Sequence, residues 1–221
     1  MAYRDGASGR EPTLITGKDV LLVVDVQNDF LPGGSLAVEG GDAVVPIIND
    51  LASRFAHIVL TQDWHTPGHG SFASSHPGKT PFETIDMAYG RQVLWPDHCI
   101  QGTTGAQFAE GLDLPRAELV VRKGFNPSID SYSGFVEADR RTRTGLAGYL
   151  KERGFERVFC AGLATDFCVA WTAIDAAEEG FETYVLLDAT RAIDTNGSLD
   201  EALAAMRRAG VAIIETASIA S

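Results

Sequence analysis

An aspartate, a lysine and a cysteine each stand at or just beyond the end of an apolar run in this chain, and together they could do nucleophilic chemistry. Asp25 closes DVLLVVD (19–25), Lys123 closes AELVVRK (117–123), and Cys168 follows RVFCAGL (157–163) within GLATDFCVAWTA (162–173). A thiol attacks as thiolate, and both a helix N-terminus and a neighbouring cation lower its pKa. Cys168 is expected in the first turn of a helix, with Lys123 as the cation. Asp25 is placed to take the thiol proton as general base. The turn 162–165 can aim backbone N–H groups at a developing oxyanion. A helical cysteine taken alone is more often packing. The argument for catalysis rests on the three residues falling at strand ends together. Cys160, inside an apolar strand, and Cys99, next to His98, read as packing.

A second cluster suits a metal. QDWHTPGHG (62–70) holds Asp63-x-His65, and alternate residues of an extended segment point to one side. LWPDHC (94–99) adds His98. Two histidines and one carboxylate suit Zn2+ or another first-row divalent ion, Fe2+ and Mn2+ included, and leave coordination positions open. Asp-x-His by itself is a chance pattern; paired with a Trp-flanked histidine it carries more weight. His69 and His76 share the same loop, and a direct or water-mediated contact with the ion stays open for both. His57 reads as a surface residue and Asp97 as a loop acid.

The elements that must deliver these groups alternate. Apolar runs at 19–27, 57–63, 117–124, 157–163, 182–189 and 211–215 read as buried parallel strands. Helical patterns at 43–55, 144–154 and 198–210 lie between them, and another runs from the Cys168 turn to about Glu179. Gly154, Gly180 and Gly210 stop three of the helices, and Ser198 with Glu201 reads as a capping box. Such alternation predicts a three-layer α/β/α, Rossmann-like domain with a mostly parallel sheet of about six strands. Ligands of open α/β sheets bind at the carboxyl ends of the strands. Asp25, Asp63, Lys123 and the turn before Cys168 all fall there. Residues 64–116 break the rhythm, being rich in Gly, Pro, His and Trp, and a long irregular insertion of this kind is usually functional. Residues 1–18 read as a flexible extension and 19–221 as a single domain.

Bulk properties narrow the partners. The 221-residue chain is 45% hydrophobic and 22% charged, which suits a soluble domain with a proper core. Its net charge of −12 disfavours nucleic acid and anionic membrane surfaces. No apolar run is long enough to span a bilayer, and the first seventeen residues lack a signal-like apolar stretch. Three cysteines without a C-x-x-C argue against a disulfide framework, so a cytoplasmic location is expected. A homo-oligomer is left open.

The stretches VVDVQNDFLPGGSL, TQDWHTPGHGSFAS, LWPDHC, RKGFNP, YSGF and GLATDFCV, in this order, resemble the nicotinamidase/pyrazinamidase family of isochorismatase-like cysteine hydrolases. The resemblance runs from about residue 19 to 215. It implies hydrolysis of nicotinamide to nicotinate and ammonia through a thioester, in NAD salvage, with pyrazinamide as a further substrate. It implies Asp25, Lys123 and Cys168 as catalytic triad and Asp63, His65 and His98 as ligands of one divalent metal ion, Zn2+ above all. Backbone N–H groups of Ala164 and Cys168 match the family's oxyanion hole, and the bond before Ala164 matches its cis peptide. Phe30, Trp95 and Tyr132 match aromatics that wall the substrate pocket. Three stretches are unmatched: the N-terminal extension, residues 79–92, and NPSIDS before Tyr132.

Three other readings compete. A carbamoyl or ureido amidase would share the Asp–Lys–Cys set, but the metal motif favours nicotinamide. Direct attack by a metal-bound hydroxide would leave Cys168 incidental. A non-catalytic binder of metal or nicotinamide has no use for the intact triad.

Overall fold

The computed structural model describes residues 13–220. In chain order the strands are β1 (Thr13–Leu14), β2 (Asp19–Val24), β3 (His57–Asp63), β4 (Thr84–Met87), β5 (Gly90–Val93), β6 (Leu119–Lys123), β7 (Arg157–Leu163), β8 (Glu182–Arg191), β9 (Ala212–Ile214) and β10 (Ile219–Ala220). The α-helices are α1 (Val44–Arg54), α2 (Leu146–Glu152), α3 (Ala170–Glu178) and α4 (Ser198–Arg208). Six of the strands form one sheet in the order β6-β3-β2-β7-β8-β9, and every neighbouring pair is parallel.

Why β2 is apolar at every position but its first follows from its place in the sheet. All six of its residues are buried, and alternate side chains feed two separate cores. Leu21 and Val23 pack with Val44, Ile48 and Leu51 of α1 on one face. Val20, Leu22 and Val24 pack with Leu146 and Leu150 of α2, Ala170 and Ala173 of α3 and Met206 of α4 on the other. A strand covered by helices on both faces needs apolar groups on both. The expected three-layer α/β/α arrangement is therefore the observed one. No helix among the described residues is long and apolar enough to cross a membrane.

The chain leaves β2 toward β3 and β6, then returns to β7 and continues to β8 and β9. The junction between β2 and β7 is thus the topological switch point, where open sheets form their binding crevice. Register aligns the strand ends there: Asp63 lies opposite Lys123, and Val24 opposite Gly162. Gly162 has φ 118°, and a Cβ on it would stand 2.1 Å from the Val24 carbonyl oxygen. Only glycine lets the two strands approach there. Gly162→Ala is expected to cost at least about 2 kcal/mol of stability, read as a lowered Tm.

Several expectations are corrected. Ser198 does not cap α4: its hydroxyl donates to Asp166 Oδ2 at 2.5 Å, and Gly197 occupies the cap position. The Ser198 oxygen accepts the Thr195 N–H at 2.9 Å instead of a helix N–H. The turn carrying Cys168, Thr165–Val169, is π-helical and precedes α3 rather than opening it; such wide turns recur at functional sites. Within 64–116, read as irregular, β4 and β5 form an antiparallel hairpin. Of the expected extension at 1–18, residues 1–12 lie outside the described ones, while Thr13–Leu14 pair in parallel with Ile219–Ala220.

Candidate active site

Asp25, Lys123 and Cys168 meet at the switch point with no more than 6% of any of them exposed. Lys123 Nζ lies 2.8 Å from Asp25 Oδ2, as an ion pair rather than an aligned hydrogen bond. It donates to the Ser131 carbonyl at 3.0 Å and to Cys168 Sγ at 3.5 Å. It also pairs with Asp63 Oδ1, so one ammonium touches the base, the thiol and a carboxylate of the metal cluster. Asp25 follows β2 in left-handed backbone, φ 46°. Thr61 on β3 steadies it, accepting the Asp25 N–H at 3.2 Å and donating to Oδ1 at 2.6 Å.

The electrostatics of this cluster set burial against charge. Burial pushes the Cys168 thiol well above its ordinary pKa, and the lowering by Lys123 is offset by Asp25 and Asp63. Burial likewise raises the Asp25 carboxyl, against the pull of Lys123. Lys123 is held above its usual value by Asp25 and Asp63, although burial acts the other way. Two carboxylates that share the cation blunt its pull on the thiol. The thiol needs a base in contact, and a raised aspartate is a suitable one. Burial alone raises Cys160 to about 12, and burial first, then Asp63, raises Cys99 well above its ordinary value. Cys160 and Cys99 are both fully buried, in keeping with packing roles.

Asp63, His65 and His98 present ligand atoms within 4.8 Å of one another, all buried. His98 Nδ1 donates to the Pro96 carbonyl at 2.8 Å, which turns Nε2 free toward Asp63 Oδ2 at 3.8 Å. That backbone bond is how a ligating imidazole is commonly held. His65 Nδ1 is buried without a hydrogen-bond partner among the described residues. Despite burial, Lys123 and His65 hold the Asp63 carboxyl well below the usual range, so it is anionic. Two imidazoles and a carboxylate with an orphaned nitrogen fit a divalent ion.

His69 and His76, left open above, hold the loop by hydrogen bonds, and His69 also falls with His65 and Asp130 in a second group with ligand atoms within 4.8 Å of one another. The His69 imidazole bonds the Asn126 carbonyl through Nε2 at 2.7 Å and Ser71 Oγ through Nδ1 at 2.8 Å. His76 Nε2 bonds the Gly70 carbonyl at 2.8 Å. Both brace the loop. His57 pairs with Glu118 at the edge of the sheet, and Asp97 accepts from Ser74 at 2.5 Å.

A cavity opens onto the thiol and the metal cluster. Cys168 and Ala164 form one side, Asp63, His65 and His98 another, and Phe30, Trp95 and Tyr132 line it as expected. The Phe30 and His98 ring centroids are 5.5 Å apart, and Trp95 Nε1 donates to Tyr132 Oη at 3.0 Å. The Leu163–Ala164 peptide bond is cis, as the resemblance implied. Sequence reasoning missed several neighbours. Phe167, which meets Trp95 edge-on at 4.8 Å, sits inside the quoted GLATDFCV and was within reach. Leu36 and Ile193 also line the cavity, and nothing local marks them. Asp130 faces His65 Nε2 at 3.3 Å from within NPSIDS. Gln27 donates to the Asp63 carbonyl at 2.9 Å and accepts its N–H at 2.8 Å.

The isochorismatase domain family matches residues 19–218. A nicotinamidase of Acinetobacter baylyi is 59% identical over 199 residues, covering 90% of this chain and 93% of its own. A nicotinamidase/pyrazinamidase structure from Acinetobacter baumanii superposes with TM-score 0.91 at 57% identity, covering 91% of this chain and 98% of its own. A pyrazinamidase from Pyrococcus horikoshii in complex with zinc does so with TM-score 0.74 at 37% identity, covering 90% and 99%.

Proposed function

The chain belongs to the isochorismatase family, and from that premise we infer that it hydrolyses nicotinamide to nicotinate and ammonia, a reaction of NAD salvage. One observation carries the chemistry: a single buried lysine ammonium contacts the base Asp25, the thiol Cys168 and Asp63 of the metal cluster.

Asp63, His65 and His98 would hold a divalent ion, zinc by analogy with the Pyrococcus relative, and when bound it supplies an open position for a ring nitrogen of the substrate. Phe30, Trp95 and Tyr132 hold the flat ring and exclude water around it. The carboxamide then lies beside Cys168. Asp25 takes the thiol proton as sulfur bonds to the amide carbon. Lys123 stays protonated and stabilises the carboxylate and thiolate in turn. The backbone N–H groups of Ala164 and Cys168 stabilise the oxyanion. The C–N bond breaks, nitrogen takes the proton from Asp25, and ammonia leaves. Water gives a proton to Asp25 and attacks the thioester. The C–S bond breaks, nicotinate departs, and the proton returns to sulfur.

Ammonia release from nicotinamide by the reduced, metal-loaded protein tests this directly. Pyrazinamide, with a ring nitrogen placed alike, is expected to be hydrolysed too. Hydrolysis of a ureido amide with neither pyridine nor pyrazine amide turned over would overturn the assignment.

A further inference from the structure

The two stretches near the site that fall outside the family-like motifs, 79–92 and 126–131, meet at one hydrogen bond. Strands β4 and β5 expose or half-expose every residue but one, and that one is Gln92, 1% exposed. A hairpin that buries only an amide is not built for hydrophobic stability. A buried amide must find partners, and these can be traced. Gln92 Nε2 lies 2.8 Å from Asp130 Oδ2, 2.9 Å from Tyr132 Oη and 2.7 Å from the Val93 carbonyl, so its two N–H groups are shared among three acceptors. Its Oε1 accepts from Tyr89 Oη at 3.0 Å. A carboxylate only accepts, so the NH2 end must face Asp130 and the amide has one orientation.

Each partner leads into the cavity. Tyr132 Oη also accepts from Trp95 Nε1, so the two aromatics are joined through the atom that Gln92 holds. Asp130 faces His65 through its other oxygen and accepts the Ser131 N–H at 2.8 Å. Gln92 therefore sits between the aromatic wall and the carboxylate behind a metal-cluster histidine. It does not itself line the cavity, and it makes no hydrogen bond to Asp25, Lys123 or Cys168.

We propose that Gln92 is a positioning residue that sets the gap between the Tyr132–Trp95 wall and the His65 side of the cavity, and with it the affinity for flat heteroaromatic amides. This rests on the reading that the cavity takes nicotinamide. Gln92 acts through groups that touch the ring equally before and during reaction. Its loss removes uniform binding, which raises KM and leaves kcat nearly unchanged.

The test uses the full-length, metal-loaded protein and two variants. Gln92→Met keeps the length and removes the amide. Gln92→Leu also removes the amide without placing a charge beside Asp130, and it carries the comparison if the methionine variant does not fold. Tyr132→Phe, which deletes the shared hydroxyl, is a third arm that leaves Gln92 intact. Nicotinamide kinetics, nicotinate Kd by calorimetry, bound metal and Tm are measured for each. For the Gln92 variants, KM and the nicotinate Kd are expected to rise about tenfold, with kcat within about threefold of wild type and metal content unchanged. Tyr132→Phe should show a smaller rise in both. A fall in Tm with KM and Kd unmoved would make Gln92 merely structural and overturn the proposal. Loss of metal with KM restored by added ion would overturn it in favour of a role in holding the ion. If wild type binds nicotinate but releases no ammonia, the functional reading fails while the Kd ratio still decides Gln92. A wild type that does neither overturns both.

Discussion

Cys168→Ala is expected to lower kcat for nicotinamide by at least about 10^4-fold, since removing a nucleophile leaves only binding and oxyanion stabilisation. The side chain is buried at the mouth of a π-helical turn and touches Lys123 at 3.5 Å. Removing one sulfur there perturbs packing little, so the loss should appear in kcat rather than in Tm. Burial, then the carboxylates Asp25 and Asp63, push the thiol's pKa up against the pull of Lys123, so Asp25 is assigned as the base that takes its proton. Iodoacetamide should therefore label Cys168 alone among the three cysteines, since Cys99 and Cys160 are fully buried away from the cavity, and nicotinate should protect it. Full amidase activity in Cys168→Ala would instead favour attack by a metal-bound hydroxide.

His98→Ala should weaken metal binding by at least about 100-fold, more than the 10- to 100-fold typical of losing an outer-shell partner. His98 Nε2 faces Asp63 while Nδ1 is anchored on Pro96, so its loss removes one of three ligands. His69 bonds the Asn126 carbonyl of the segment after β6, and His76 bonds the Gly70 carbonyl. Metal content after dialysis, measured by elemental analysis, reads this without reference to turnover. KM for nicotinamide should rise with the loss, and a chelator should reproduce the rise in wild type, reversibly on adding zinc. An unchanged KM in metal-free protein would remove the ion from substrate positioning.

Much of the site could be read from one dimension because its parts are local. Asp63 and His65 are two residues apart on an extended segment, and Asp25, Lys123 and the Cys168 turn each follow a strand whose apolar run announces it. The braces were not legible. Thr61 supports Asp25 across 36 residues, and Gln92 reaches Asp130 across 38. Neither residue differs in type from ordinary polar residues elsewhere. Ser198 shows the same limit from the other side. Its capping pattern was present, but the hydroxyl donates to Asp166, 32 residues away, and its oxygen accepts the Thr195 N–H rather than one from the helix.

By itself, then, the sequence determined the alternation of buried strands and helices, the edge of the sheet where reactive groups gather, and the identity of those groups. These depend on apolar period and on residue type, which are local properties. Tertiary structure decided which strands are neighbours, and therefore that Asp63 and Asp25 share one lysine. It decided what acts on the thiol, which burial and two carboxylates push up while Lys123 pulls down, because pKa depends on burial and on charges brought from other strands. It also decided that an inserted hairpin delivers Gln92 beneath the aromatic wall. Contacts between distant segments arise from packing the whole chain, and no window of sequence contains them.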